Sequence, residues 1–262
     1  MIPIESSDLI LAVITAIASG LVGSFALMRR MTLAGDALSH IALPGIGLAL
    51  LYSYNPVLGA GAALLIGSFI IWKVERLSPL NTEAIIGVLF SLSLAVGAIA
   101  IKEEHELIET LFGGIAEVAP YEFLFGSLVG VLVIWFILKN RHALVLTLVS
   151  KELASTARIP VEKMQLYFLL TFALTVIIGM KFLGILLMGA LIIIPAAAAR
   201  NIAKNLNGML ISACVISLIS VVSGIFASQI FTLQLGPAII IIAGILFLGA
   251  LFLNLGKMRS RV

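Results

Sequence analysis

The chain reads as an all-α, polytopic bundle of transmembrane helices with eight or nine spans. Three observations predict this. Of its 262 residues 61% are hydrophobic and only 11% are charged, whereas a water-facing domain carries about 25% charged residues. Its mean hydropathy is +1.22. Nine apolar runs approach or reach the ~17–20 residues that cross a hydrocarbon core about 30 Å thick. So few charges cannot clothe a surface in water, and lipid must be part of the solvent.

The runs cover residues 9–28, 33–54, 57–72, 84–101, 118–138, 164–180, 182–199, 208–230 and 235–255. The third is short, and only Lys181 separates the sixth from the seventh, hence the choice between eight and nine. Residues 1–8 have no basic stretch, and no small-x-small cleavage pattern follows the first run, so that run is predicted to be a retained span. Residues 1–262 together read as one transmembrane domain. Small residues recur within the runs, as Gly20 with Gly23, Gly59 with Gly61 and Gly126 with Gly130. They allow close helix packing where lipid offers no hydrophobic drive for association.

Charge fixes the predicted orientation. With the N-terminus outside and the C-terminus cytoplasmic, fourteen of the sixteen Lys and Arg residues fall on the inner side, and only Lys102 and Lys181 do not. That bias is the positive-inside pattern of a multi-pass protein of the cell (inner) membrane. The net charge of +3 therefore reports topology, and nucleic acid is excluded as a partner. His142, beside Lys139 and Arg141 at an inner span end, is predicted to be interfacial. The outer loop 102–117 is acidic, with His105 among Glu103, Glu104, Glu106 and Glu109. Such a loop most simply solvates itself and otherwise gathers cations weakly. The lone cysteine, Cys214, forbids an intrachain disulfide and reads as a small core hydrophobe.

One span carries a polar cluster, Leu33-Ala34-Gly35-Asp36-Ala37-Leu38-Ser39-His40-Ile41-Ala42-Leu43-Pro44-Gly45. Ionisable groups inside a span cost roughly 2.5–3.5 kcal/mol each and call for a partner or a role. Asp36 and His40 stand four apart, neighbours on one helical face. A carboxylate and an imidazole at that spacing can chelate one divalent ion. Pro44 lacks an N–H, so the carbonyl of His40 loses its helical partner and becomes a third candidate oxygen. Two side chains make an incomplete, reversible site, as transport needs, not a closed structural one. A hydrogen-bonded Asp36–His40 pair buried among helices fits the same residues, and residue chemistry alone does not separate the two.

Enzyme readings fail on missing groups. His105-Glu106-Leu107-Ile108-Glu109 lacks the second histidine of a zinc-protease helix. Asp8 and Asp36 are the only aspartates, and Asp8 sits at a span end, so no intramembrane aspartyl dyad forms. No G-x-x-x-x-G-K-[ST] phosphate loop occurs, so any ATP is hydrolysed by another chain.

Arg30 to Leu50, RMTLAGDALSHIALPGIGLAL, resembles the signature of the zinc/manganese/iron ABC-type permeases, the ABC-3 family. Glu83 to Ser91 is similar to that family's acidic-x-x-x-Gly-Ile-x-Phe-Ser segment, Leu111-Phe112-Gly113-Gly114 to its outer LFG motif, and Gly184 to Arg200 to its late proline-bearing span. The resemblance covers nearly the whole chain. It implies a type II ABC importer-like fold and a homodimer of permeases. Each copy binds a cytoplasmic ABC ATPase and is loaded by an extracellular metal-binding protein. Zinc, manganese or iron is then cargo, with no permanently bound cofactor. It favours Asp36 and His40 as metal ligands and adds Ser39, Pro44 and Glu83 along the path. His40 ligates only when neutral, so uptake should weaken as it protonates.

Residues 150–160 form the longest polar stretch between spans. Ser150 can cap a short cytoplasmic helix, Glu152 lies in its first turn, Arg158 near its end, and Pro160 stops it. Such a helix suits an ATPase groove or, alternatively, the lipid surface. The resemblance favours coupling, through Lys151, Glu152, Ala154 and Arg158. Against the family pattern, Arg158 replaces a usual glycine, Ala198 a common threonine and Glu83 the more frequent aspartate. With only three histidines, zinc is not favoured over manganese or iron. The rival readings are an ATP-independent metal transporter or channel and a permease for a metal chelate. The second needs a wide path without a charged ligand pair.

Overall fold

A computed structural model describes residues 6–31, 34–100 and 119–259. The acidic loop with Lys102, Glu103, Glu104, His105, Glu106, Glu109 and Glu117, and the Leu111–Gly114 motif, lie outside the described residues.

Among the described residues every regular element is helical. Continuous apolar sequence in lipid leaves the backbone only intrahelical partners. The elements are α1 (Ser6–Met28), α2 (Ala34–Ile41), α3 (Leu43–Leu51), α4 (Pro56–Leu77), α5 (Thr82–Ala100), α6 (Pro120–Val149), α7 (Lys151–Thr156), α8 (Val161–Leu183), α9 (Ile185–Ile202), α10 (Leu206–Phe231) and α11 (Leu235–Arg259). Seven helices among the described residues are long and apolar enough to cross a membrane, and Gly35–Leu51 and Leu187–Ile202 are shorter apolar ones.

Two predicted spans change form. The 33–54 run divides into α2 and α3 with a one-residue interruption at Ala42, where Pro44 in the first turn of α3 cannot donate back along the helix. The 164–199 region divides at Gly184, whose φ of 74° ends α8 and starts α9. Glycine adopts that backbone at no steric cost, so the turn falls there and not at Lys181.

α1 is the hub. It packs against α6, α8, α9 and α10, and Ala16, Ala18, Val22 and Phe25 along it are fully buried. α2 lies between α9, α5 and α4, while among the described residues α5 packs mainly on α2, α3 and α4. Much of α5 is therefore left open, with Val88, Leu92 and Ile99 exposed. The close fit of α2 on α9 comes from paired glycines. A Cβ on Gly189 would fall 2.6 Å from the carbonyl carbon and oxygen of Gly35 and 2.8 Å from the amide of Asp36. Only backbone fits between the two helices at this level.

The candidate metal pair and the family it belongs to

Asp36 occupies the first turn of α2 and His40 its last. The helix N-terminus favours the carboxylate where it stands. The Nε2 of His40 lies 3.8 Å from Oδ1 of Asp36, too far for a hydrogen bond. It is within chelating reach, since an ion about 2.1 Å from each atom spans up to about 4.2 Å between them. The two side chains differ in access: Asp36 is 63% exposed and His40 only 13%. The imidazole stands edge-on to Phe90 of α5, with ring centroids 5.0 Å apart and planes at 78°. Its Nδ1 is buried without a hydrogen-bond partner. Ring packing, not a hydrogen bond, holds Nε2 toward Asp36.

The other predicted path residues separate. Ser39 does not join the pair. It is fully buried, and its hydroxyl donates to the carbonyl of Gly35 at 2.8 Å, because position 39 turns into the bundle. Pro44 is partly exposed at the start of α3, and by spacing it continues the Asp36–His40 face. Glu83 is exposed in the first turn of α5. It lies seven residues before Phe90, about 10 Å along the axis. Among the described residues no third His, Cys, Asp or Glu completes a metal-holding group with the pair.

The 150–160 segment holds a shorter helix than its sequence predicts. α7 spans six residues, Lys151–Thr156. Ser150 Oγ accepts the amide of Leu153 at 3.1 Å, and its hydroxyl lies 2.6 Å from Oε2 of Glu152, to which it donates. That hydrogen bond, more than nearby Lys151, holds the Glu152 carboxyl below its ordinary range. Ala154 is the buried anchor, while Lys151, Glu152 and Arg158 are exposed. Arg158 lies past the helix with φ of 57°, a left-handed turn that lets Ile159 donate back to Ala154 at 2.9 Å. The turn, and not Pro160, stops the helix.

Phe90 is the site residue the sequence reading missed. It stood inside the Glu83–Ser91 segment, but nothing in a one-dimensional pattern pairs α5 with α2.

The profile of the ABC 3 transport family matches residues 3–254. The chain belongs to the ABC 3 transport family. This family member is 28% identical over 256 residues to the high-affinity zinc uptake system membrane protein ZnuB of Haemophilus influenzae, covering 96% of this chain and 97% of the relative. It is 31% identical over 248 residues to the manganese import system permease protein ScaB of Streptococcus gordonii, covering 94% of this chain and 89% of that one. Its fold is similar to a chain in the structure of PsaBC from Streptococcus pneumoniae in complex with Fab. The TM-score is 0.79 at 29% identity, over 92% of this chain and 88% of that chain.

Proposed function

We propose that this ABC 3 family chain is the membrane-spanning permease subunit of an ATP-driven importer of divalent transition-metal ions, with Asp36 and His40 as the ligands that receive the cargo. The observation that carries this reading is the pair itself: a carboxylate and an imidazole nitrogen 3.8 Å apart, the carboxylate 63% exposed on an apolar helix. An exposed carboxylate facing lipid is costly, so a hydrated passage is the environment that suits it. Its relatives named for zinc and manganese agree with a hard oxygen paired with a borderline nitrogen. Iron fits the same donors.

In this reading two copies pair across the open side of α2 and α5, each bringing one Asp36 and one His40, so the passage is completed between protomers. In this reading the two shorter apolar helices cross as well, giving nine crossings of a type II importer-like fold. The N-terminus is then outside and the basic ends, with α7, are cytoplasmic. A separate ATPase docks on α7 through exposed Lys151, Glu152 and Arg158, and an external binding protein delivers the ion. This chain carries no ATPase chemistry of its own.

Metal-uptake assays in cells lacking the native gene test the site. Asp36→Asn and His40→Ala should each lower uptake of zinc or manganese by at least about tenfold, as losing one of two ligands removes chelation. Undiminished uptake by both variants, at equal membrane levels, refutes the assignment.

A further inference from the structure

A groove of about 410 Å³ runs along the outside of the bundle between α1, α6 and α10. Its walls are apolar, from Ile17 and Leu21 of α1, Ile134 and Leu138 of α6, and Ile211 and Val215 of α10. One end is polar. There Arg141 of α6 and Asn207 of α10 line it, with Arg141 Nη1 donating to Asn207 Oδ1 at 3.2 Å and its Nε donating to His142 Nε2 at 3.3 Å. Arg141 Nη2 and the amide nitrogen of Asn207 make no hydrogen bond among the described residues, so both can still donate.

From Arg141 to Ile134, and from Asn207 to Val215, the groove runs seven to eight residues along its helices. At 1.5 Å per residue that is roughly 10–12 Å, most of the ~15 Å depth of one leaflet's hydrocarbon. An apolar channel of one-leaflet depth, closed at its headgroup end by an arginine with spare donors, is complementary to one kind of ligand. We infer that this groove binds an anionic phospholipid, its acyl chain along α1, α6 and α10 and its phosphate on Arg141 and Asn207. A protein helix would not require the charge at that one end, and a zwitterionic lipid would gain less from it. Arginine suits the task because its planar fork binds phosphate bidentately and is weakly hydrated. Only the leaflet assignment, cytoplasmic, rests on the orientation proposed above.

Lipid retention by the purified full-length chain tests this without any transport assay. Native mass spectrometry in detergent, with phosphatidylglycerol or phosphatidylcholine of the same acyl chains, should show phosphatidylglycerol retained roughly fivefold better, the factor expected for one basic side chain at an anionic headgroup. Arg141→Gln should abolish that preference and Arg141→Lys keep most of it. Ile211→Trp, which fills the groove and leaves the arginine, should lower retention of both lipids. Cys214, the chain's only thiol, lines the groove, so bound phosphatidylglycerol should also slow its alkylation by a maleimide. Equal retention of the two lipids, a preference surviving Arg141→Gln, or displacement by millimolar inorganic phosphate overturns the proposal. Loss of metal uptake alone touches the function and not this site.

Discussion

At the scale of single residues, the pair at positions 36 and 40 owes its orientation to a neighbour from another helix. Phe90 presses edge-on to the imidazole at 5.0 Å, and Nδ1 has no hydrogen bond to hold the ring. Such ring contacts contribute about 0.5–1.5 kcal/mol. If Asp36 and His40 receive the metal as proposed, Phe90→Ala should raise the apparent KM for metal uptake by about two- to tenfold while leaving maximal rate nearly unchanged, since both side chains remain. Phe90→Trp, which keeps an aromatic edge, should recover most of the loss. Unaltered KM in Phe90→Ala would remove its positioning role. The same residues mark what sequence could convey. Asp36 and His40 were legible because i and i+4 share a helical face whatever the fold. Ser39 stands apart from them because one step in sequence is a turn of about 100° into the bundle, where its hydroxyl is already used. Phe90 was silent because its meeting with His40 joins residues fifty positions apart.

At the scale of elements, α2 is placed by what is missing from its contact with α9. A methyl group on Gly189 would lie 2.6 Å from Gly35, a distance that only backbone movement relieves. Gly189→Ala should push α2 away, at about 1–3 kcal/mol for an overpacked contact. It should depress uptake though neither Asp36 nor His40 is substituted, and uptake assayed beside thermal unfolding in detergent separates the two effects. The short helix α7 depends on its first and last residues. Ser150→Ala removes the acceptor for Leu153 and the donor to Glu152, and should cost about 1 kcal/mol. Because Glu152's carboxyl is held below its usual range in the folded state, the contribution of its hydrogen bond is present at neutral pH. It is lost as pH falls through that lowered value. Arg158→Gly should be tolerated or stabilising, whereas Arg158→Val should destabilise by about 1–2 kcal/mol, since a β-branched side chain resists φ of 57°. ATPase stimulation by the permease, measured for both variants, reports whether the turn shapes the surface proposed for ATPase docking. A glycine at this position would take the same φ without steric cost. The helix boundaries were the least legible part of the sequence, because a left-handed arginine leaves no compositional mark.

At the scale of the whole molecule, the apolar runs and the basic asymmetry foretold a membrane bundle, but not the knot of polar contacts that ties its basic end together. Arg29, just past α1, donates to Thr147 Oγ1 at 3.4 Å in the last turn of α6, and its guanidinium lies 4.4 Å over the Phe168 ring of α8. Burial pulls its pKa down to about 10, with the charge of Glu75 on α4 opposing. Nearby, Arg76 pairs with Glu162 at 3.2 Å, and Trp72 Nε1 donates to the Glu162 carbonyl at 2.9 Å, joining α4 to α8. Arg29 thus sits between the helix that runs into α7 and the turn that leads to Asp36. Sequence separation hid this knot, for its members are scattered from position 29 to 168. Arg29→Met removes the positive charge that couples to Glu75, whose Oε2 is buried without a hydrogen bond. It should lower stability by about 2–3 kcal/mol, less than for a fully buried pair because Arg29 is partly exposed. Arg29→Met combined with Glu75→Gln should recover at least half of that, since no charge is then stranded, and the double-mutant cycle isolates the coupling. A base whose folded pKa is lowered only to about 10 stays protonated at neutral pH, so the Tm difference between wild type and Arg29→Met should not change between about pH 6 and 8 on its account. If the knot transmits movement of α7 to α2, the doubly substituted chain should fold and stimulate ATP hydrolysis yet import little metal. Normal import by that variant would leave Arg29 a stabilising residue and nothing more.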